Sequence, residues 1–210
     1  MKSKKVVITI GRQYGSGGKE IGSKLANSLD IDFYDKQILR MVSDESGIGE
    51  SYYHLADERA GSNLLYRIVK SMKPALTTPS VDSDLVSGDN LFLFQSEVLR
   101  KLADEKSCVI VGRCGDYILE DRDYVAKVFL YSKMENRIKK IMKRDSISEK
   151  EAVKMIKRHD KERNEYYEYY TGKSWGDINN YHLSIDSGEL GVDKTVELIQ
   201  EYLKIKEIIE

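Results

Sequence analysis

The chain has 210 residues, enough for one α/β-sized domain with a sizeable core. Its 34 basic residues against 35 acidic ones give a formal net charge of −1, which excludes the broad positive field that bulk nucleic-acid binding requires. Cys108 and Cys114, the two cysteines, lack zinc-ligand spacing, and the N-terminal apolar run 6–10 is too short for a secretory leader or a membrane span. Reduced thiols, a cytoplasmic location and no membrane partner are the expectations.

Residues 5–10 form an apolar, β-branched run that predicts a buried strand. Residues 19–29, with Ile21, Leu25 and Leu29 at helical spacing, predict the helix after it. Residues 31–34 predict a short second strand with Asp35 at its carboxyl end. Residues 36–47 read as a helix with Ile38, Leu39, Met41 and Val42 on one face, and 49–60 as another with Ser51 as its cap. Both prolines, Pro74 and Pro79, fall in the Ser/Thr-containing stretch 73–90, which predicts a loop. A helix over about 90–104 leads to Cys108-Val109-Ile110-Val111, a continuous apolar run suited to a central parallel strand. Residues 125–131 predict another strand, and 134–143 a helix with basic residues on its open face. Ser148-x-x-Glu151 matches a capping box and opens a long helix over about 148–170. Residues 181–186 predict the last strand, and 192–205 an amphipathic closing helix with Val196, Ile199 and Leu203 in register. Strands alternating with helices predict one α/β domain with a mainly parallel sheet, and such sheets bind ligands at the carboxyl ends of their strands.

At the first of those ends lies Gly11-Arg12-Gln13-Tyr14-Gly15-Ser16-Gly17-Gly18-Lys19, which passes from strand through glycines into helix. Glycines let backbone N–H groups turn inward, a helix start adds positive dipole, and a lysine adds a point charge; together these make a phosphate cradle. The match to G-x-x-x-x-G-K-[ST] is partial, because Gln13 stands at the first glycine and Glu20 at the Ser/Thr. The predicted phosphate-binding groups are Gly15, Ser16, Gly17, Gly18 and Lys19; a tight turn formed for packing is the alternative. Gly112-Arg113 sets an arginine at the end of a central strand, where it can grip a phosphate with two donors or form an ordinary surface ion pair. Arg144-Asp145 ends one helix, and Asp160 and Arg163 share a face of the next, with Arg158 on another face. A solvated charged helix would carry the same run. Tyr166, Tyr167, Tyr169, Tyr170 and Trp175 suit either stacking on a base or docking the helix end on the body.

With these pieces in order, the chain resembles the cytidylate kinase-like branch of the nucleoside monophosphate kinases, which are P-loop NTPases. The resemblance runs nearly end to end. It rests on the glycine-rich loop, on Phe33-Tyr34-Asp35-Lys36-x-x-Leu39-Arg40, on Val109-Ile110-Val111-Gly112-Arg113 and on Val128-Phe129-Leu130. Arg144-Asp145, Asp160-x-x-Arg163 and Asn180-Tyr181-His182-Leu183-Ser184-Ile185-Asp186 complete it. It implies an ATP-dependent phosphotransferase acting on a nucleoside monophosphate (CMP or dCMP by family likeness) or a similar small acceptor, with ATP and Mg²⁺ as cofactors and no identified metal ligand. It also implies a core of 1–35, 96–143 and 173–210, an acceptor-binding lobe at about 36–95 and a lid at about 144–172. In those terms Lys19 meets the donor phosphates. Arg144, Arg158 and Arg163 supply charge to the transition state from the lid. Asp35, Arg40, Arg113 and Asp160 face the acceptor. The sequence departs from the pattern of true cytidylate kinases in the loop, where G-K-G-[ST] is replaced by Gly18-Lys19-Glu20-Ile21, and after the central strand, where Cys114 replaces an aspartate. Those departures support a second expectation, a nucleotide-binding regulatory protein with the same fold and little turnover.

Overall fold

A computed structural model describes residues 5–35 and 88–209. The helices expected over 36–47 and 49–60, nearly all of the expected loop 73–90, and Arg40 lie outside the described residues.

Five parallel strands form one sheet: β1 (Val7–Arg12), β2 (Asp32–Tyr34), β3 (Cys108–Val111), β4 (Val125–Tyr131) and β5 (Leu183–Asp186), in the spatial order β2-β3-β1-β4-β5. Central β1 pairs with β3 through Val7↔Cys108 to Ile10↔Val111, and with β4 through Val7↔Val125 to Arg12↔Leu130. Its apolar residues are buried on both faces, as a strand covered by helices on each side demands. The helices are α1 (Gly18–Ser28), α2 (Gly88–Glu105), the short α3 (Gly115–Ile118), α4 (Met134–Asp145), α5 (Glu149–Thr171) and α6 (Ser187–Ile205).

Alternation along the strands divides the core. Ile8, Ile10, Val109, Val111, Val128 and Leu130 pack with α1 and α6 through Ile21, Leu25, Val196 and Ile199. Val7, Ile110, Val125 and Phe129 pack on the other side with Val98, Leu99 and Leu102 of α2, Ile118 of α3, and Tyr167 and Trp175. Each fully buried Val, Ile or Leu contributes about 1.5–3 kcal/mol from burial. A third, smaller cluster joins α4 to α5 through Ile141, Ala152 and Ile156, with Tyr14 packed on it. No described helix is long and apolar enough to cross a membrane.

Most expected boundaries agree within two residues. β1 runs on to Arg12, two residues past its apolar run, because it pairs there with β4. β5 starts at Leu183. α6 starts at Ser187, since Asp186 caps it by accepting from the N–H groups of Gly188 and Glu189, and it kinks at Gly191 (φ +75°). α5 opens with the expected capping box: the Ser148 hydroxyl accepts from the Glu151 N–H while the Glu151 side chain reaches back to the Ser148 N–H.

Strand order reverses around β1, so the carboxyl ends of β1, β3 and β4 border a crevice. The loops that meet there are 13–17, 112–114 and 132–133.

Candidate active site

The loop after β1 is held from beneath. Gln13 N–H donates to Leu130 O (2.9 Å), and its side-chain oxygen accepts from Ser132 N–H (3.1 Å), tying the loop to the end of β4. The Ser16 hydroxyl donates to Gln13 O (2.9 Å). The Ser187 hydroxyl sits 2.7 Å from Ser16 O and 3.0 Å from Tyr131 O. Gly15 and Gly17 take φ of +85° and +88°, conformations that a side chain would strain. Gly17 is the N-cap of α1 and offers no side-chain cap, so the first-turn N–H groups of α1 open toward the crevice.

Helices α4 and α5 close on this loop through Tyr14. Its N–H donates to Asp160 Oδ1 (2.7 Å), and Asp160 Oδ2 accepts from Arg137 Nη1 (2.5 Å). The Tyr14 ring lies 4.3 Å from the His159 ring, and the guanidinium groups of Arg144 and Arg163 stand 5.1 and 5.4 Å from its centroid. Its hydroxyl accepts from Arg144 and donates to the Met155 sulfur (3.3 Å).

A second set of charges converges at the ends of β1 and β3. Arg163 Nη1 donates to Arg12 O (2.9 Å). The Arg12 guanidinium lies against Gly112, where an added Cβ would stand 2.0 Å from Nη1. Next to it, Gly112, Arg113 and Cys114 all have left-handed φ (+81°, +61°, +53°). Two consecutive non-glycine residues in that region store strain, which the turn holds while presenting Arg113. Arg113 reaches the Tyr166 hydroxyl, and its buried Nε has no partner. Burial, then the charges of Arg163 and Arg113, push the Arg12 guanidinium down to about 9. Burial also lowers Arg163. A guanidinium still holds its proton at neutral pH, so the shift of Arg12 expresses the cost of burying a cation beside two others, an arrangement that a nearby anion would favour, whereas Asp160 and Glu162 oppose the effect of burial on Arg163.

The structure therefore gathers Gly15, Ser16, Gly17, Gly18, Arg113, Arg163 and Asp160 around one crevice, with Arg144 beside it on Tyr14. The Lys19 side chain, 62% exposed, pairs with Asp35 (2.8 Å; 9% exposed), the residue after β2, whose charge also acts on Arg12. Arg158 is exposed and pairs with Glu162 of its own helix (3.7 Å). Glu20 pairs with Lys140 of α4 (2.9 Å), whose ammonium lies against Gly17 of the loop.

Arg12, Tyr14 and Arg137 were not among the expected site residues. Arg137 did carry a signal: it falls between Met134, Ile138 and Ile141 on the apolar stripe of α4, and a charge on a buried stripe requires a partner. Arg12 carried none, because its neighbours Gly18 and Gly112 come from separate segments.

The tyrosines of α5 dock the helix. Tyr170 stacks on Phe92 (4.0 Å), and the buried Tyr167 hydroxyl donates to Asp116 (2.6 Å). Burial raises the Asp116 carboxyl above its usual range and pushes the Cys114 thiol up to about 12, so Cys114 is an inert thiol. On α2, Gln95 is 2% exposed, and both its amide nitrogen and oxygen lack partners.

Residues 7–189 match the model of the cytidylate kinase-like family. A cytidylate kinase of Sulfurisphaera tokodaii is 27% identical over 198 residues, 94% of this chain and 95% of that protein. Another, from Methanopyrus kandleri, is 23% identical over 210 residues, covering 95% and 94%. Among solved structures, an uncharacterized protein from Eubacterium ventriosum superposes with a TM-score of 0.72 at 27% identity, covering 95% of this chain and 99% of that one. Shikimate kinase from Bacteroides thetaiotaomicron shares the fold at a TM-score of 0.52 and 14% identity, covering 95% and 98%.

Proposed function

The chain belongs to the cytidylate kinase-like family, and from that membership we propose that it is an ATP-dependent phosphotransferase whose acceptor is a nucleoside monophosphate. The relatives named cytidylate kinase favour CMP or dCMP as that acceptor. The observation that carries the reading is the crowding of Arg12, Arg113 and Arg163 at the mouth of a glycine-rich loop. Three guanidinium groups facing one another are costly in isolation and favourable around phosphates.

In this reading the N–H groups of the loop and of the first turn of α1 hold the donor phosphates. An oxygen of the acceptor phosphate attacks the γ-phosphorus, and the bond to the β,γ-bridging oxygen breaks. ADP leaves, and the acceptor becomes a diphosphate. The attacking oxygen is already an anion, so no strong base is needed; the work is alignment and charge stabilisation. Arg163 and Arg144, on helices that close over Tyr14, supply charge to the moving phosphoryl group. Arg113 and Asp35 line the acceptor side. Asp160 orients the loop through the Tyr14 N–H. Mg²⁺, arriving with ATP, would supply neutralisation of phosphate charge. Among the described residues no group of three or more His, Cys, Asp or Glu could hold a metal by itself. The Glu20 carboxylate is engaged by Lys140, which offsets its charge beside the loop.

The test is ADP formation from ATP·Mg²⁺ with CMP, dCMP, UMP and AMP in turn. Turnover fastest with CMP or dCMP is expected. ATP-induced stabilisation without ADP formation on any acceptor would instead identify a nucleotide sensor.

A further inference from the structure

We propose that Arg12, rather than Lys19, is the loop cation that grips the donor phosphates. The proposal rests on the phosphotransferase reading and reassigns one role within that site. A phosphate loop of the strand–glycines–helix type sets one long cationic side chain over the first helical turn. In this chain that space belongs to Arg12. A Cβ placed on Gly18, the first residue of α1, would lie 2.6 Å from Arg12 Cγ, 2.8 Å from its Cβ and 3.5 Å from its Cδ. On Gly112, at the end of β3, it would meet Arg12 Nη1, Cζ and Nη2. At both glycines the three nearest atoms are all Arg12's. The two residues therefore form the walls of a slot that a single arginine fills, its stem over the helix start and its guanidinium toward Arg113 and Arg163.

The placement of Lys19 agrees. It is one residue further into the helix, roughly 100° around the axis from Gly18. Its ammonium pairs with Asp35 at the end of β2, two positions from β1 in the sheet. The sequence thus carries its loop cation before the glycines, at the end of β1. The change of residue also changes the contact. A guanidinium offers a planar fork of donors that can bridge two phosphate oxygens, where an ammonium offers a point charge.

The test is ATP titration calorimetry on the full chain as wild type, Arg12→Gln and Lys19→Gln, with circular dichroism to confirm folding. Loss of a charge-assisted contact at the phosphates is expected to weaken ATP roughly 10- to 100-fold in Arg12→Gln. Lys19→Gln is expected to stay within about threefold of wild type, a change small against a direct phosphate contact. If Arg12→Gln fails to fold, Arg12→Lys, which keeps a cation and most of the stem in the slot, is compared instead, with weaker ATP binding than Lys19→Gln expected. The inverse pattern, with ATP binding lost in Lys19→Gln and kept in the Arg12 variant, overturns the proposal and leaves the phosphotransferase reading intact. A wild type that binds no ATP overturns both.

Discussion

Two arginine-bearing regions meet at the same rim of the sheet and use their charges in opposite ways. In one, the buried Arg137 and Asp160 pair with each other, and Asp160 also holds the Tyr14 N–H. In the other, Arg113 and Arg163 stand near Arg12, with Asp35, itself paired to Lys19, acting on Arg12, and Asp160 and Glu162 acting on Arg163. The first region is complete within the chain and fixes the loop against α4 and α5. The second brings like charges close to Arg12, an arrangement that an anion would favour. An arginine whose partner is built into the fold holds structure, and arginines crowded among their own kind mark where a ligand's charge belongs.

The largest expected effect breaks the first region. Arg137→Ala strands Asp160 in a partly buried site and should cost about 3–5 kcal/mol in denaturant unfolding, with or without nucleotide. A loss below about 1 kcal/mol would show that the clamp is peripheral. Next comes the second region. Arg113→Gln removes one of three mutually repelling charges, so the unliganded protein should stay within about 1 kcal/mol of wild type or gain stability. Its ATP-induced rise in Tm should shrink sharply, since the retained fold lacks a phosphate contact. Equal losses in the unliganded and liganded protein would erase the distinction between the two regions.

The smallest effect extends the comparison to acids. Asp160 has a cation, whereas Asp116 has the Tyr167 hydroxyl and a buried setting that raises its carboxyl above the ordinary 3.8. The native state therefore holds the Asp116 proton more tightly than the unfolded chain does. That contribution is full below the unfolded value and is lost as pH rises through the folded one. Asp116→Asn should flatten this dependence, so that its stability relative to wild type improves as pH rises above the ordinary carboxylate range. Unfolding curves across that range check it. Parallel pH profiles for the two proteins would mean that Asp116 does not carry a raised carboxyl.

Strand–helix alternation, the β-branched runs of β1, β3 and β4, and the Ser148–Glu151 capping box were all legible locally, because each depends on spacing within one segment. The glycine-rich loop was legible too, as was the shared face of Asp160 and Arg163 on α5. The ownership of charges was not. Lys19 follows the glycines as a phosphate-loop lysine should, yet it reaches Asp35 because β2 lies on that side of the sheet. Arg12 follows the apolar run and reads as the start of a loop. Only the pairing of β1 with β4 keeps it in the strand, and only the juxtaposition of Gly18 with Gly112 gives its side chain a slot. The partner of Glu20 likewise could not be read locally, because Lys140 is 120 residues away in sequence.

If the second region stabilises a phosphoryl group in transit, steady-state ADP release will report it. With saturating ATP·Mg²⁺ and CMP, wild type should turn over, and Arg163→Gln should lose roughly 100-fold or more in kcat, with KM for ATP within a few-fold of wild type. Unchanged kcat in Arg163→Gln, or a wild type that binds ATP and CMP without forming ADP, would contradict the account.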